Sequence, residues 1–178
     1  MASGQSGIVK DPDRNAYSWK QMPDGRQWMT QNLQFNTPGS WTYPGLPDGG
    51  RLYPFDMAAK VCAALGEGWR LPAREDWIAL ALPFGGVFNQ TPESGKQAFQ
   101  ALVKGGSSGF DAVLGGGRRP ADGSFARGSA HGFYWTITET DETQACFMNF
   151  GAGSGCLYVQ PDGEKRSGFS VRCVKDKP

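Results

Sequence analysis

Helical periodicity occurs in one window of this chain, and turns punctuate everything on either side of it. Phe55, Ala58, Ala59 and Cys62 follow i, i+3, i+4, i+7 spacing, with Leu65 continuing the face. Pro54 suits the first turn of such a helix and Gly66 its stop. A second helix is expected after Pro72, with Trp77, Leu80 and Ala81 as its apolar stripe and Pro83 with Gly85-Gly86 as its end. A third is expected from Thr91-Pro92, a good N-cap and N1 pair, to about Val103, ended by Gly105-Gly106.

Outside that window the tripeptide Pro-Asp-Gly occurs three times, at 23–25, 47–49 and 161–163. Proline presets φ, aspartate bonds the nearby backbone and glycine closes the turn. Tyr17 and Trp19 alternate before the first tripeptide, and Trp28 and Leu33 follow it, which predicts an N-terminal β-hairpin over 16–34. Beyond residue 110, short strands are expected at Phe110–Leu114, Phe133–Thr138, Gln144–Phe150, Cys156–Gln160 and Gly168–Val174. Glycine-rich joints at 115–117 and 151–155 connect them. Helices segregated in sequence from strands imply an α+β fold: a β-hairpin, two to three helices, then an antiparallel β-meander. Residues 1–7, small and polar, are expected as a tail, and residues 8–178 as one domain.

Composition narrows the function class. The chain holds 26 Gly and 12 Pro among 178 residues, too many for a helical bundle or coiled coil. Aromatic residues make up 12%, too many for a solvated disordered chain. The formal net charge of +1, with no run of like charge, does not indicate nucleic acid as a partner. No apolar stretch reaches the roughly 18–20 residues of a membrane span.

The chemistry-bearing residues are sparse. His131 is the only histidine, so any Ser-His-Asp or Cys-His centre would hang on it alone, and no motif surrounds it. The carboxylates Glu139, Asp141 and Glu142 are expected as solvated charge. Gly115-Gly116-Gly117-Arg118-Arg119 is expected as a turn with two solvated arginines rather than an anion cradle, since no phosphate-loop pattern surrounds it. The four cysteines lack zinc-finger spacing and any Cys-x-x-Cys pair. Four cysteines allow three pairings. Cys146 and Cys156 flank a Gly-rich turn, which suits either a cross-strand bridge or two free buried thiols. No enzyme activity and no cofactor are expected.

An ordered set of segments carries a resemblance. They are Gln27-Trp28-Met29-Thr30-Gln31-Asn32-Leu33, Gly50-Arg51-Leu52-Tyr53, Cys62 through Gly68-Trp69-Arg70-Leu71-Pro72, and Asp76-Trp77. They continue as Gly109-Phe110, Asp122-Gly123-Ser124-Phe125, Gly132-Phe133-Tyr134-Trp135-Thr136 and Gly168-Phe169-Ser170-Val171-Arg172-Cys173-Val174. In this order the chain resembles the Fibrobacter succinogenes major paralogous domain family, a group of bacterial, mostly extracytoplasmic domains. Ala73 stands where that family usually has a Ser/Thr-like cap, and Cys146 and Cys156 are extra to its usual pair. Trp69, Trp77 and Trp135 lie in the family's fixed motifs beside apolar positions and are expected in the core.

The resemblance implies a C-type lectin-like fold, and with it a disulfide between Cys62 and Cys173 and an oxidising, extracellular or cell-surface location. Relatives of the family include the variable proteins altered by diversity-generating retroelements, whose C-terminal part carries the varied surface. By that analogy the residues that alternate away from the core between Thr136 and Ser167 are candidate ligand contacts: Thr138, Thr140, Glu142, Asn149, Tyr158, Gln160, Asp162 and Arg166. The expected function is ligand binding on a variable face, as an adhesin- or receptor-type domain. The expected partner is a protein or cell-surface ligand, with no metal. Gln160-Pro161-Asp162 matches the triplet that supplies calcium and sugar ligands in galactose-type lectins. Its partner Trp-Asn-Asp triplet is missing, so a plain turn is expected there. A structural module of a larger surface lipoprotein is the alternative. A formylglycine-generating-enzyme-like role for Cys146 and Cys156 rests on fold analogy alone.

Overall fold

The computed structural model describes residues 4–90 and 94–178. The chain opens with β1 (Ser6–Lys10), β2 (Ala16–Gln21) and β3 (Gln27–Met29), paired antiparallel in that order. The expected hairpin is β2–β3, with Lys20 opposite Trp28. Asp24 holds its turn by accepting from Arg26 N at 3.1 Å and Trp28 Nε1 at 3.0 Å. Strand β1 corrects the expected tail, because Ser6 and Gly7 pair with Lys20 and Trp19. At Gly7 a Cβ would lie 2.6 Å from the Trp19 ring, so a larger residue there would have to displace that side chain.

A ribbon of β4 (Trp41–Thr42) and β5 (Arg51–Leu52) encloses the second Pro-Asp-Gly, which forms a single 3-10 turn. Helix α1 (Phe55–Ala63) follows Pro54 and buries Ala58, Val61 and Cys62; Gly66, at φ 73°, turns the chain away. After β6 (Trp69–Arg70) comes α2 (Arg74–Ala81), which buries Trp77, Leu80 and Ala81 as its stripe requires. Its missing Ser/Thr cap is replaced from two sides. The Asp76 carboxylate accepts from Ala73 N at 2.7 Å, and the Thr138 hydroxyl accepts from Arg74 N at 3.0 Å. The expected start of the third helix, Thr91-Pro92, lies outside the described residues. Helix α3 is described over Lys96–Leu102.

The C-terminal half is less regular than expected at its ends and more regular in its middle. Phe110–Leu114 is not a strand, since only Ala112 pairs, in a lone bridge with Val103. A short ribbon, β7 (Gly117–Arg118) with β8 (Phe125–Ala126), precedes three long strands. These are β9 (His131–Glu139), β10 (Gln144–Gly151) and β11 (Cys156–Glu164), forming an antiparallel sheet with β10 in the centre. The third Pro-Asp-Gly lies inside β11 and is not a turn. The register explains this: Phe147 faces Gln160 but Ala145 faces Gly163, so β11 carries one extra residue opposite Cys146. A bulge on an edge strand is a place that tolerates proline. The chain closes with β12 (Val174–Lys175), which inserts between β3 and β6 in the five-stranded sheet.

Residues 168–173 do not form the expected strand. They thread between the sheets, and successive residues pair with different elements: Gly168 with Arg118, Phe169 with Tyr53, Ser170 with Tyr134. Val171 O then accepts from Leu33 N and Cys173 O from Met29 N. No single neighbour runs alongside long enough to make a ladder. The thread is locked to α1 by the Cys62–Cys173 disulfide, with Cα atoms 5.5 Å apart across 111 residues of sequence. No helix among the described residues is long and apolar enough to cross a membrane.

Alternation along β9 to β11 sends neighbours to opposite faces of their sheet. Tyr134, Met148, Phe150 and Leu157 enter one buried cluster with Trp28, Trp77 and Phe110, under α2 and α3. Trp135 and Phe147 enter a second with Tyr53, Cys62, Phe169 and Val171, under α1. Trp69, Trp77 and Trp135 are all core residues. The thread and α1 cover only the Trp135–Phe147 end of their face and leave the other end open.

Candidate functional site

The open end of the three-stranded sheet carries a polar ladder. His131 on β9, Asn149 on β10 and Tyr158 and Gln160 on β11 lie on one face by register. Asn149 Nδ2 donates to Gln160 Oε1 at 2.6 Å, and Asn149 Oδ1 lies 2.8 Å from His131 Nδ1. Both are diagonal cross-strand contacts, the spacing at which long side chains meet. With Asn149 Oδ1 accepting, His131 donates from Nδ1. The outer ends of the ladder, His131 Nε2 as acceptor and Gln160 Nε2 as donor, then have no protein partner among the described residues.

Aromatic rings bound the ladder on both sides. Phe133 stacks with His131 at 5.4 Å and 17° and runs back into the core against Phe169. Tyr158 packs with Phe88 at 5.0 Å. Phe88 reaches it because Phe88 N donates to Leu157 O, so the segment after α2 pairs with the free edge of β11. Phe88 is 45% exposed although it is a large apolar side chain. A polar strip between rings, with its rotamers already held, is the composition of protein recognition surfaces.

The predicted contacts divide into three groups. Asn149, Tyr158 and Gln160 come together on this face. Thr138 and Thr140 are structural instead. Thr138 caps α2, and the Thr140 hydroxyl donates to Pro161 O at 2.6 Å, closing the bulge. The sheet is irregular here, since Trp135 pairs with Phe147 but Glu139 with Ala145, so simple alternation does not place these two side chains. Glu142, Asp162 and Arg166 are exposed at the opposite end of the sheet, away from the ladder. His131, Phe133 and Phe88 join this face although they are not among the predicted residues. The alternation His131, Phe133, Trp135 is visible in sequence once β9 is started two residues earlier, whereas Phe88 meets β11 only through the fold.

Other sequence features resolve locally. Asp141 builds the β9–β10 turn: it accepts from Thr143 N at 2.7 Å, Gln144 N at 2.8 Å and the Thr143 hydroxyl at 3.0 Å, which holds its carboxyl below the usual range. Glu139 pairs with Lys165 at 2.5 Å. These carboxylates are therefore turn and ion-pair groups rather than simply solvated charge. Arg118 is not simply solvated either, since its guanidinium lies 4.1 Å from the Trp41 ring centroid. The proposed second disulfide is not present; Cys146 and Cys156 are free and buried. The hairpin turn starts at the Gly151–Cys156 pair, so Cys146 lies at the far end, opposite the bulge. Five strand positions separate the two levels, roughly 17 Å at strand rise. Among the described residues no three His, Cys, Asp or Glu side chains gather as a metal site.

The family model of the Fibrobacter succinogenes major domain matches residues 31–175, and the chain belongs to that family. No curated protein and no solved structure matches the chain.

Proposed function

We propose that this domain is a bacterial extracytoplasmic binding module of the C-type lectin-like kind, with the open end of the β9–β10–β11 face as its ligand surface and no catalytic role. The observation that carries the reading is the His131–Asn149–Gln160 ladder between Phe133 and Tyr158–Phe88. These side chains bond to one another, and the core beneath is filled from the opposite face. His131, Asn149 and Gln160 therefore do little for folding that smaller residues could not do, whereas Phe133 also packs on the core. The Cys62–Cys173 disulfide supports an oxidising compartment. A protein ligand suits a preformed surface of polar and aromatic groups.

A retroelement-diversified version of the reading needs positions that tolerate exchange. Asn149, Tyr158 and Gln160 meet that need, whereas Thr138 and Thr140 do not, because each closes a backbone contact. Sequencing the locus tests that version, since it requires a near-copy repeat and a reverse transcriptase gene close by. The binding reading is tested with immobilised domain and cell-surface extracts. A partner retained by the native domain and released by Tyr158→Ala with Gln160→Ala, at unchanged melting temperature, is the expected result. A partner held equally by the double variant removes this face from consideration.

A further inference from the structure

We infer that a cleft beside β7, distinct from the ladder, binds a small ligand carrying a carboxylate and a hydrogen-bond donor. The cleft is about 540 Å³ and is walled by Trp41, Pro54, Phe55 and Pro120, with Arg118, Lys165 and Arg166 as its cations and Asp56 as its one acid. Its size falls in the range of small-molecule sites and its apolar walls with few polar groups match their make-up.

The charges in it are not equivalent. Lys165 is engaged by Glu139 at 2.5 Å, and Arg166 by Glu164 at 3.2 Å. Arg118 has no carboxylate partner among the described residues. Its guanidinium is instead stacked at 4.1 Å on Trp41, and glycines at 123 and 168 make room for it. A Cβ at Gly123 would lie 2.5 Å from the guanidinium, and one at Gly168 would lie 2.9 Å from the Trp41 ring. A planar fork held over an aromatic ring and left without a carboxylate is preorganised to bind one through two parallel N–H···O bonds. Asp56 is exposed on the first turn of α1 and has no hydrogen-bonded partner among the described residues, so it is available to accept from a hydroxyl or ammonium group. A uronic acid and a free α-amino acid share this pairing of groups. The inference goes beyond the ladder reading and uses none of its residues.

The test is titration of the whole domain with D-glucuronate, L-glutamate and inorganic sulfate, followed by NMR at the Trp41 indole and the Arg118 side chain. Saturable shifts with glucuronate or glutamate, with sulfate at least about tenfold weaker, are expected. Whichever of the two binds tighter identifies the ligand's chemical source. Arg118→Lys keeps the charge but loses the fork, and is expected to weaken binding about tenfold. Asp56→Asn, an exposed change that leaves the fold alone, should weaken it as well. The inference is overturned by no saturable shift with either carboxylate, by sulfate binding equally well, or by affinity unchanged in both variants. Any of those results leaves the partner assay on the ladder face untouched.

Discussion

The Arg172 guanidinium donates from Nε to the side-chain oxygen of Asn32 at 2.7 Å, joining residues 140 positions apart in a fully buried contact. No carboxylate pairs with this arginine among the described residues. Its other bonds go to the carbonyls of Met29, Phe110 and Asp111, at 2.7–3.1 Å, and the ring of Phe110 lies 4.8 Å from it. The Tyr134 hydroxyl donates to the same Asn32 oxygen at 3.0 Å. One side chain thus ties β3, the 110–111 loop and the C-terminal thread into a single unit. Arg172→Lys keeps the charge but cannot reach four acceptors, and buried groups left unpaired cost about 1–3 kcal/mol each. Urea unfolding should show a loss of about 3 kcal/mol or more. A loss under about 1 kcal/mol would show that the carbonyl cage is dispensable.

The disulfide should be one of one. After unfolding the oxidised protein without reductant, alkylation and mass spectrometry should find two reactive thiols, on Cys146 and Cys156. Replacing Cys62 and Cys173 together with alanine should cost about 5 kcal/mol in the chain-entropy account of a loop this long. Finding no reactive thiol would mean a second bridge forms.

Acid should destabilise the protein through Asp76. Burial works against its ionised form, but Arg70 at 2.6 Å, Ala73 N at 2.7 Å and Arg26 at 3.3 Å outweigh that and hold its carboxyl below the ordinary range. A carboxylate whose folded pKa is lowered adds stability that is complete above its unfolded value, about 3.9, and is lost as pH falls below it. Asp76→Asn should lower the melting temperature at neutral pH and flatten its fall below about pH 4. Parallel curves for the two proteins would place the acid sensitivity elsewhere.

Two residues that look alike in sequence should behave in opposite ways. Thr138→Ala removes the acceptor for Arg74 N and should cost about 1 kcal/mol of stability, as lost helix caps do. Tyr158→Ala should change stability less and partner binding more, because the ring it packs with, Phe88, is itself half-exposed. Calorimetry on both variants separates the roles. A larger melting shift in Tyr158→Ala would make that ring structural.

Much of the fold was legible because local chemistry governed it. The Pro54 and Gly66 limits of α1, the Trp77 stripe of α2 and the Asp24 turn each depend on residues within a few positions of one another. The Pro-Asp-Gly at 161–163 shows where that logic stops. The same tripeptide that turns the chain at 23–25 lies extended in β11, because neighbouring strands supply its pairing. The ladder was half legible: Asn149, Tyr158 and Gln160 follow from alternation, while the irregular pairing around Cys146 gave Thr138 and Thr140 backbone partners that alternation does not foretell.

By itself, the amino-acid sequence determined the first two helices, the α+β class, the aromatic core and the family, since these rest on periodicity, turn chemistry and fixed motifs. Tertiary structure alone decided which exposed side chains face one another. It brought Phe88 to Tyr158, and Arg118 onto Trp41, across 70 and more residues of chain. The physical reason is that a surface is assembled from the ends of different elements. Their register and bulges are set by packing beneath them, which no local pattern encodes.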